Sequence, residues 1–107
     1  MHAVLCTIND RIAPKYYDAA ELLSLVVENR IVRQRKVIAV GALNPDELCA
    51  LVLYMKTDVI ICGGIRKDYQ EKLGRSKVTL IYNVIGNVDD VVERFLSGSL
   101  RTGDIVA

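Results

Sequence analysis

The chain has 107 residues, of which 51% are hydrophobic, so its length and composition fit one packed domain and exclude a disordered chain. Charged residues make up 25% and nearly cancel to a formal net charge of +1, which argues against a dedicated nucleic-acid or membrane-surface protein. No apolar run approaches the roughly 20 residues that span a bilayer, and the first residues lack the basic flank and cleavage site of a signal peptide. We therefore expect a soluble, cytoplasmic protein in which residues 1–107 form a single domain with a core over residues 3–98.

Three strands are predicted in the first part of the chain. Residues 3–8 and 22–27 are apolar runs typical of buried strands, and Asn29-Arg30 indicates a tight turn into a third strand over residues 31–40. The cationic middle of this third strand is typical of a sheet edge. Residues 9–18 carry turn formers, a proline and charges, which predicts a long loop.

Helices and strands alternate in the second part. Asn44 can cap a helix, Pro45 fits its first position, and Glu47 can complete a capping box. This predicts a helix over 45–55, which a strand over 58–62 follows. A second helix is predicted from the Gly63-Gly64 break to Leu73, with Gly74 as its stop, and a strand over 77–83 follows it. The last predicted helix runs from the cap Asn87 to Leu96 and is ended by Gly98, and residues 99–107 are predicted to be a flexible tail.

The element order β-β-β-α-β-α-β-α permits few arrangements, because crossovers between parallel strands are right-handed. The simplest is a three-layer α/β fold with a five-stranded mixed sheet in the order 3-2-1-4-5. Only the second strand is antiparallel in this sheet. We therefore predict a ribonuclease-H-like layout with three helices, a fold that does not by itself define an activity.

Three cysteines, Cys6, Cys49 and Cys62, are an odd number, and their spacing matches no zinc motif. Structural disulfides are not expected in a reducing cytoplasm. Cys49 lies next to Leu48 in a predicted helix, and we expect it to be a small buried apolar side chain.

The candidate site lies where the chain leaves the first and fourth strands, because open α/β sheets bind ligands beyond the carboxyl ends of strands whose connections diverge. Cys62, Gly63 and Gly64 follow the fourth strand, and Cys6 lies near the end of the first. The glycines would leave backbone N–H groups free beside a helix start, which would favour an anion and lower the pKa of the Cys62 thiol. Charged and aromatic side chains flank this site: Arg11, Lys15, Tyr16 and Arg66.

Enzyme signatures are missing from the sequence. His2 is the one histidine, and there is neither a Gly-x-Ser-x-Gly elbow nor a Walker-type lysine loop. The acidic residues do not gather at predicted strand ends in the manner of a two-metal nuclease. We therefore predict a protein that is not an enzyme and that binds neither nucleic acid nor a membrane.

Three stretches, residues 11–20, 58–65 and 86–98, resemble the dinitrogenase iron–molybdenum cofactor biosynthesis family. The first is similar to the family's Pro-containing loop, the second to its strand-to-glycine turn and the third to its closing helix. With the strand order, the resemblance covers residues 3–100. The family includes small nitrogenase-cofactor carriers, the C-terminal domain of the radical protein of cofactor assembly, and the orange molybdenum–copper protein.

The resemblance implies a non-catalytic carrier for an anionic metal–sulfur cluster or its precursor, containing iron–sulfur or molybdenum and related to nitrogen fixation. Cluster-assembly or acceptor proteins would be its partners. Cys62 and Cys6 are the candidate metal ligands, because soft clusters prefer thiolates. Gly63 and Gly64 would offer backbone donors, and Lys15, like Arg11 and Tyr16, would lie on the binding surface.

Lys15 departs from the family pattern, in which a histidine often follows the proline. A protonated lysine cannot ligate a metal, so Lys15 would act on an anionic cluster by charge. Two alternatives stay open: a protein-interaction or regulatory domain with a vestigial pocket, and an enzyme that uses the Cys62 thiol on a small anionic substrate. The sequence does not define the metal or the oligomeric state.

Overall fold

The computed structural model describes residues 1–106, in which four strands precede the first α-helix and helices and strands then alternate. None of the helices in this range has the length and apolar character needed to cross a membrane. The strands are β1 (His2–Ile8), β2 (Arg11–Ile12), β3 (Glu21–Glu28), β4 (Ile31–Ala39), β5 (Val59–Ile61) and β6 (Thr79–Ile81), and the helices are α1 (Pro45–Tyr54), α2 (Lys67–Arg75) and α3 (Val88–Leu96).

The strands form one mixed sheet in the order β4-β3-β1-β5-β6. β3 is antiparallel to both of its neighbours, whereas β1, β5 and β6 are parallel to one another. The predicted order of the five main strands and the single antiparallel strand among them are thereby confirmed. The short β2, which pairs with β1 in antiparallel fashion, is an addition to that prediction.

The predicted loop over residues 9–18 is more ordered than expected. It opens with a two-residue turn in which Asn9 and Asp10 have φ angles of 50° and 61°, the left-handed region that Asn and Asp tolerate best after glycine. This turn folds β2 back onto β1, and a single 3-10 turn follows at Tyr16–Asp18. A two-residue strand is too short to leave an alternating pattern in the sequence, so the pairing could not be read from it.

The sheet has helices on both faces, which confirms the three-layer α/β architecture. Val4 and Ile60 pack on the face covered by α1 and α2, and the adjacent residues Leu5 and Ile61 pack on the face covered by α3. Successive side chains of a strand point to opposite faces, so continuous apolar runs fill both cores at once.

The helix starts show one confirmed cap and one shifted boundary. Asn44 Oδ1 accepts from the Glu47 N–H at 2.8 Å, and the Glu47 carboxylate accepts from the Asn44 N–H at 3.0 Å, which is the predicted capping box. The second helix does not start at the glycine pair: α2 begins at Lys67 and continues through Gly74. The expected stop at Gly74 is therefore wrong, and the chain turns only at Lys77, whose φ is 62°.

Residues 99–106 are packed against the domain, which corrects the expectation of a flexible tail. Leu100 and Val106 are buried in the core beneath α3. The Ile85 N–H donates to the Asp104 carbonyl at 3.0 Å, and the Val106 N–H donates to the Ile85 carbonyl at 2.7 Å. Ala107, the last residue of the predicted tail, lies outside the described residues.

Candidate functional site

The parallel strands β1, β5 and β6 end at one edge of the sheet, and the segments that leave β1 and β5 lie against each other there. Residues 13–16, called the strap below, run beside residues 62–64. The Gly64 N–H donates to the Pro14 carbonyl at 2.8 Å, and the Tyr16 N–H donates to the Gly64 carbonyl at 2.9 Å. The strap therefore covers the end of β5.

Gly63 admits the strap, and the N–H of Gly64 is not a free donor. A Cβ built on Gly63 would collide with the carbonyl oxygens of Ala13 and Pro14, so only glycine permits this approach of two backbones. The Gly64 N–H is already occupied by Pro14. Because α2 begins only at Lys67, the glycine pair is not at a helix start, and the predicted anion-binding role of free backbone N–H groups is not supported for Gly64.

The thiols of Cys6 and Cys62 are buried in a core that also includes Ala13 and Tyr16 of the strap. They follow Leu5 and Ile61, which face each other in the register of β1 and β5, and they share one apolar core with Cys49. Burial raises the pKa of Cys6 to about 12 and also raises the pKa of Cys62 and of Cys49. All three side chains are therefore neutral thiols at physiological pH, and the prediction of a reactive Cys62 thiolate is wrong for this conformation.

A cleft of about 400 Å³ opens to solvent on the outer side of the strap. Its walls come from three separate segments: the strap and the 3-10 turn, the first turn of α1, and the segment between β5 and α2. The lining is mainly apolar and carries two cationic side chains. The lining residues are Lys15, Tyr17, Pro45, Gly64, Ile65 and Arg66.

The two cations of the cleft differ in how far their charge is compensated. Lys15 is exposed, forms no ion pair with the described residues, and has its Nζ 5.5 Å from the centre of the Tyr17 ring. A hydrogen bond with Tyr17 raises the pKa of Lys15 above its usual value, so the ammonium stays charged. Arg66 stacks 4.8 Å from the Tyr69 ring and forms an ion pair with Asp68 at 2.8 Å. Lys15 is thus the less compensated cation.

Tyr16 supports the cleft from below instead of lining it. Its side chain is buried, its hydroxyl donates to the Pro45 carbonyl at 2.8 Å, and its ring centre lies 5.1 Å from that of Tyr69. Tyr69 in turn donates from its hydroxyl to Asp46 Oδ1 at 2.5 Å. These contacts join the 3-10 turn, α1 and α2, so the predicted site residue Tyr16 holds the walls in place.

Arg11 is not brought together with the other predicted site residues. It belongs to β2, and its Nη1 donates to Asn87 Oδ1 at 3.2 Å, at the start of α3. The lining also includes Pro45 and Ile65, which no pattern in the sequence marks as site residues. In the sequence Pro45 indicates only a helix start, because nothing local indicates that the first turn of α1 meets the strap.

The chemistry of this cleft suits an anion. No group of three or more His, Cys, Asp or Glu side chains within residues 1–106 is arranged to hold a metal ion. The cleft presents positive charge from Lys15 and Arg66 beside aromatic and aliphatic walls. Such a surface attracts a bulky anion with weakly hydrated faces and repels a bare cation.

The fold and this strand-end cleft define a small three-layer α/β domain of the ribonuclease-H-like type. No family model matches the sequence, and no curated protein sequence matches it. Solved structures do match: in one crystal structure the TM-score is 0.87 at 16% identity, over 95% of this chain and 94% of that one. At this identity the likeness establishes the fold alone.

Three further matches carry names related to the predicted family. A crystal structure of a protein from Methanocaldococcus jannaschii assigned as a dinitrogenase has 22% identity and a TM-score of 0.77, over 94% of this chain and 91% of that one. A NifB-assigned protein from Thermotoga has 11% identity and a TM-score of 0.73, over 99% and 97%. The apo form of the orange protein from Desulfovibrio gigas has 12% identity and a TM-score of 0.76, over 94% and 91%. The fold expected from the family resemblance is confirmed.

Proposed function

We propose that the chain is a non-catalytic carrier for an anionic metal–sulfur cluster or its precursor, akin to proteins of dinitrogenase iron–molybdenum cofactor biosynthesis. The observation that carries the proposal is the cleft, in which Lys15 and Arg66 flank mainly apolar walls at the strand-end edge. A metal–sulfur cluster is a bulky anion with soft sulfur faces, and it matches cations combined with apolar contact. The shared fold of the orange protein and the NifB-assigned protein supports the same assignment.

Binding in this proposal is by charge and contact, without thiolate ligation in the closed conformation. Cys62 is fully buried and Cys6 is 1% exposed, so a cluster in the cleft does not reach either sulfur while the strap stays in place. Ligation by Cys62 or Cys6 stays a prediction that requires the strap to lift. A cargo held without covalent ligation exchanges readily, which suits transfer between assembly and acceptor proteins in the cytoplasm.

The thiol-dependent enzyme has weaker support than the carrier. A nucleophilic cysteine needs a thiolate and access to its substrate, and Cys62 has a raised pKa and no exposed surface. If no cargo binds, the alternative is a protein-interaction or regulatory domain with a vestigial pocket.

The test is an anaerobic titration with tetrathiomolybdate, followed by its visible absorbance and by equilibrium dialysis with metal analysis. We expect Lys15→Ala to weaken binding about three- to tenfold, as for one exposed charge contact, and added salt to weaken binding to the unsubstituted protein. Lys72→Ala removes the same charge from α2 outside the cleft and should leave binding unchanged.

Molybdate serves as a compact, strongly hydrated anion and should bind more weakly than tetrathiomolybdate. Equal losses for Lys15→Ala and Lys72→Ala would remove the cleft from the proposal. If neither the thiomolybdate nor an iron–sulfur precursor binds the unsubstituted protein, the carrier function fails for this chain.

A further inference from the structure

The outer edge of β4 is an unpaired sheet edge. Residues 34–39 pair with residues 21–26 of β3 without interruption, and the register shift of this pair falls beyond them, between Val26 and Val27. Within residues 1–106, β4 ends the strand order and its outer backbone groups form no hydrogen bonds to other segments. Residues 34–39 therefore offer a regular row of free N–H and carbonyl groups.

The side chains along this edge combine charge with exposed apolar surface. Arg35 lies opposite Leu25, on the face covered by α3, and Lys36 lies opposite Ser24, on the other face. Val37 lies opposite Leu23, on the same face as Arg35, and is 58% exposed. Charges alone would protect an edge from pairing, but the exposed valine adds an apolar surface beside them.

Within residues 30–44 the charge has one sign, whereas Asp10, Asp89 and Asp90 from other segments line a cleft together with Arg35, so Lys36 is the less compensated cation. Between Asn29 and Pro45 the chain holds four cationic residues and no acidic one. The four residues are Arg30, Arg33, Arg35 and Lys36.

A second copy of the chain is a poor occupant for this edge. Antiparallel pairing of residues 34–39 with the same residues of another copy would gather Arg35 and Lys36 of both copies around the two-fold axis. Like charges at that spacing across a strand pair destabilise the pairing. A partner strand with carboxylates on the face of Lys36 would instead place opposite charge beside it.

We propose that residues 34–39 of β4 dock an extended segment of a partner protein, acidic and aliphatic in alternation, as an additional strand. Main-chain hydrogen bonds to the free edge provide affinity, and carboxylates on the face of Lys36 provide selectivity. Aliphatic side chains of the partner cover Val37. β4 runs parallel to β1, so the docked segment leads to the sheet edge that holds the cleft, although the proposal does not depend on what the cleft binds.

The probe is a capped peptide of alternating Glu and Val, and a peptide with Lys in place of each Glu is its control. We expect the Glu peptide to shift backbone amide signals of residues 34–39 in the NMR spectrum of the full chain, and the Lys peptide to leave them unchanged. The double reversal Arg35→Glu with Lys36→Glu should weaken binding at least tenfold, and salt should weaken it in the unsubstituted protein. The reversal Lys72→Glu with Arg75→Glu, on α2, is the matched control and should leave the affinity unchanged.

Four outcomes would overturn the proposal. Equal binding of the Glu and Lys peptides removes the charge argument, and shifts confined to other residues remove the site. Tighter binding of a single-stranded RNA oligonucleotide at residues 34–39 would make the edge a nucleic-acid surface. A concentration-dependent dimer that buries β4 in the absence of peptide would make the occupant a second copy.

Discussion

Lys15 and Cys62 lie in neighbouring segments, yet their environments are opposite. Lys15 is exposed beside Tyr17 and keeps its charge, whereas Cys62 lies under the strap and keeps its proton. The charge in the cleft and the neutral sulfur in the core therefore result from where the backbone places the side chains of Lys15 and Cys62. Lys15 therefore places a positive charge in the cleft, and the cysteines contribute packing to the core.

We predict that the buried thiols make the fold sensitive to alkali. The pKa of Cys6 is raised from 9.0 to about 12, so between these values the unfolded chain has lost a proton that the folded chain retains. The stabilising contribution is complete below pH 9 and is lost as the pH rises toward 12, by about 1.4 kcal/mol per pH unit for one thiol. Cys6→Ala should be less stable at pH 7 but should show a shallower decline of unfolding free energy above pH 9.

Denaturant unfolding at several pH values measures this difference. When the unfolding free energy is plotted against pH, the slopes for Cys6→Ala and for the unsubstituted protein should differ only above pH 9. Rapid labelling of Cys6 or Cys62 by iodoacetamide in the folded protein at pH 7 would contradict the burial on which the prediction rests.

At the scale of elements, the strap is positioned by contacts between backbones. Its carbonyls at Ala13 and Pro14 occupy the space where Gly63 lacks a side chain, and the Gly64 main chain supplies two hydrogen bonds. Tyr16 then anchors the strap to the first turn of α1. The cleft exists because these three segments meet. Its shape therefore depends on Gly63, which allows the strap to approach the end of β5.

We predict that Gly63→Ala destabilises the protein by about 2–3 kcal/mol, because the added methyl group displaces two backbone carbonyls. Thermal unfolding with circular dichroism measures the loss. Gly74→Ala is the matched control: its Cβ meets nothing within 4 Å in the last turn of α2, and it should stabilise the helix by about 0.5 kcal/mol. If Gly63→Ala leaves the stability unchanged, the position of the strap does not depend on this glycine.

At the scale of the whole molecule, residues 99–106 complete the layer beneath α3. Leu100 and Val106 are 4% and 7% exposed, whereas Ile105, next to Val106, is 72% exposed and pairs with Ile85. Of these two neighbouring residues, one side chain therefore faces solvent and the other faces the core. The domain includes this segment as part of its core.

We predict that Leu100→Ala lowers the unfolding free energy by about 2–4 kcal/mol, through lost burial and the cavity left behind. Ile105→Ala, in the same segment but exposed, should change it by no more than about 0.5 kcal/mol. Denaturant titration distinguishes the two. Equal, small effects would restore the flexible tail that the sequence predicts.

The sequence by itself determined the strand order, the edge position of β4, the capping box at Asn44 and the turn at Asn29-Arg30. These features are local: periodicity, cap residues and turn formers act within a few positions, and right-handed crossovers limit the assembly. The expectation of a site at the strand-end edge followed from the rule that open α/β sheets bind ligands beyond the carboxyl ends of their strands.

Only the tertiary structure decided which residues at that edge are accessible. Cys62 is buried in a core that includes residues of α1 and α2, Ala13 and Pro14 approach Gly63 from far away in the chain, and the cleft requires Pro45 from a third segment. Arg11, near Lys15 in sequence, points to Asn87 because β2 folds back onto β1. Accessibility and charge at a site arise from contacts between distant segments, and spacing within the chain does not encode them.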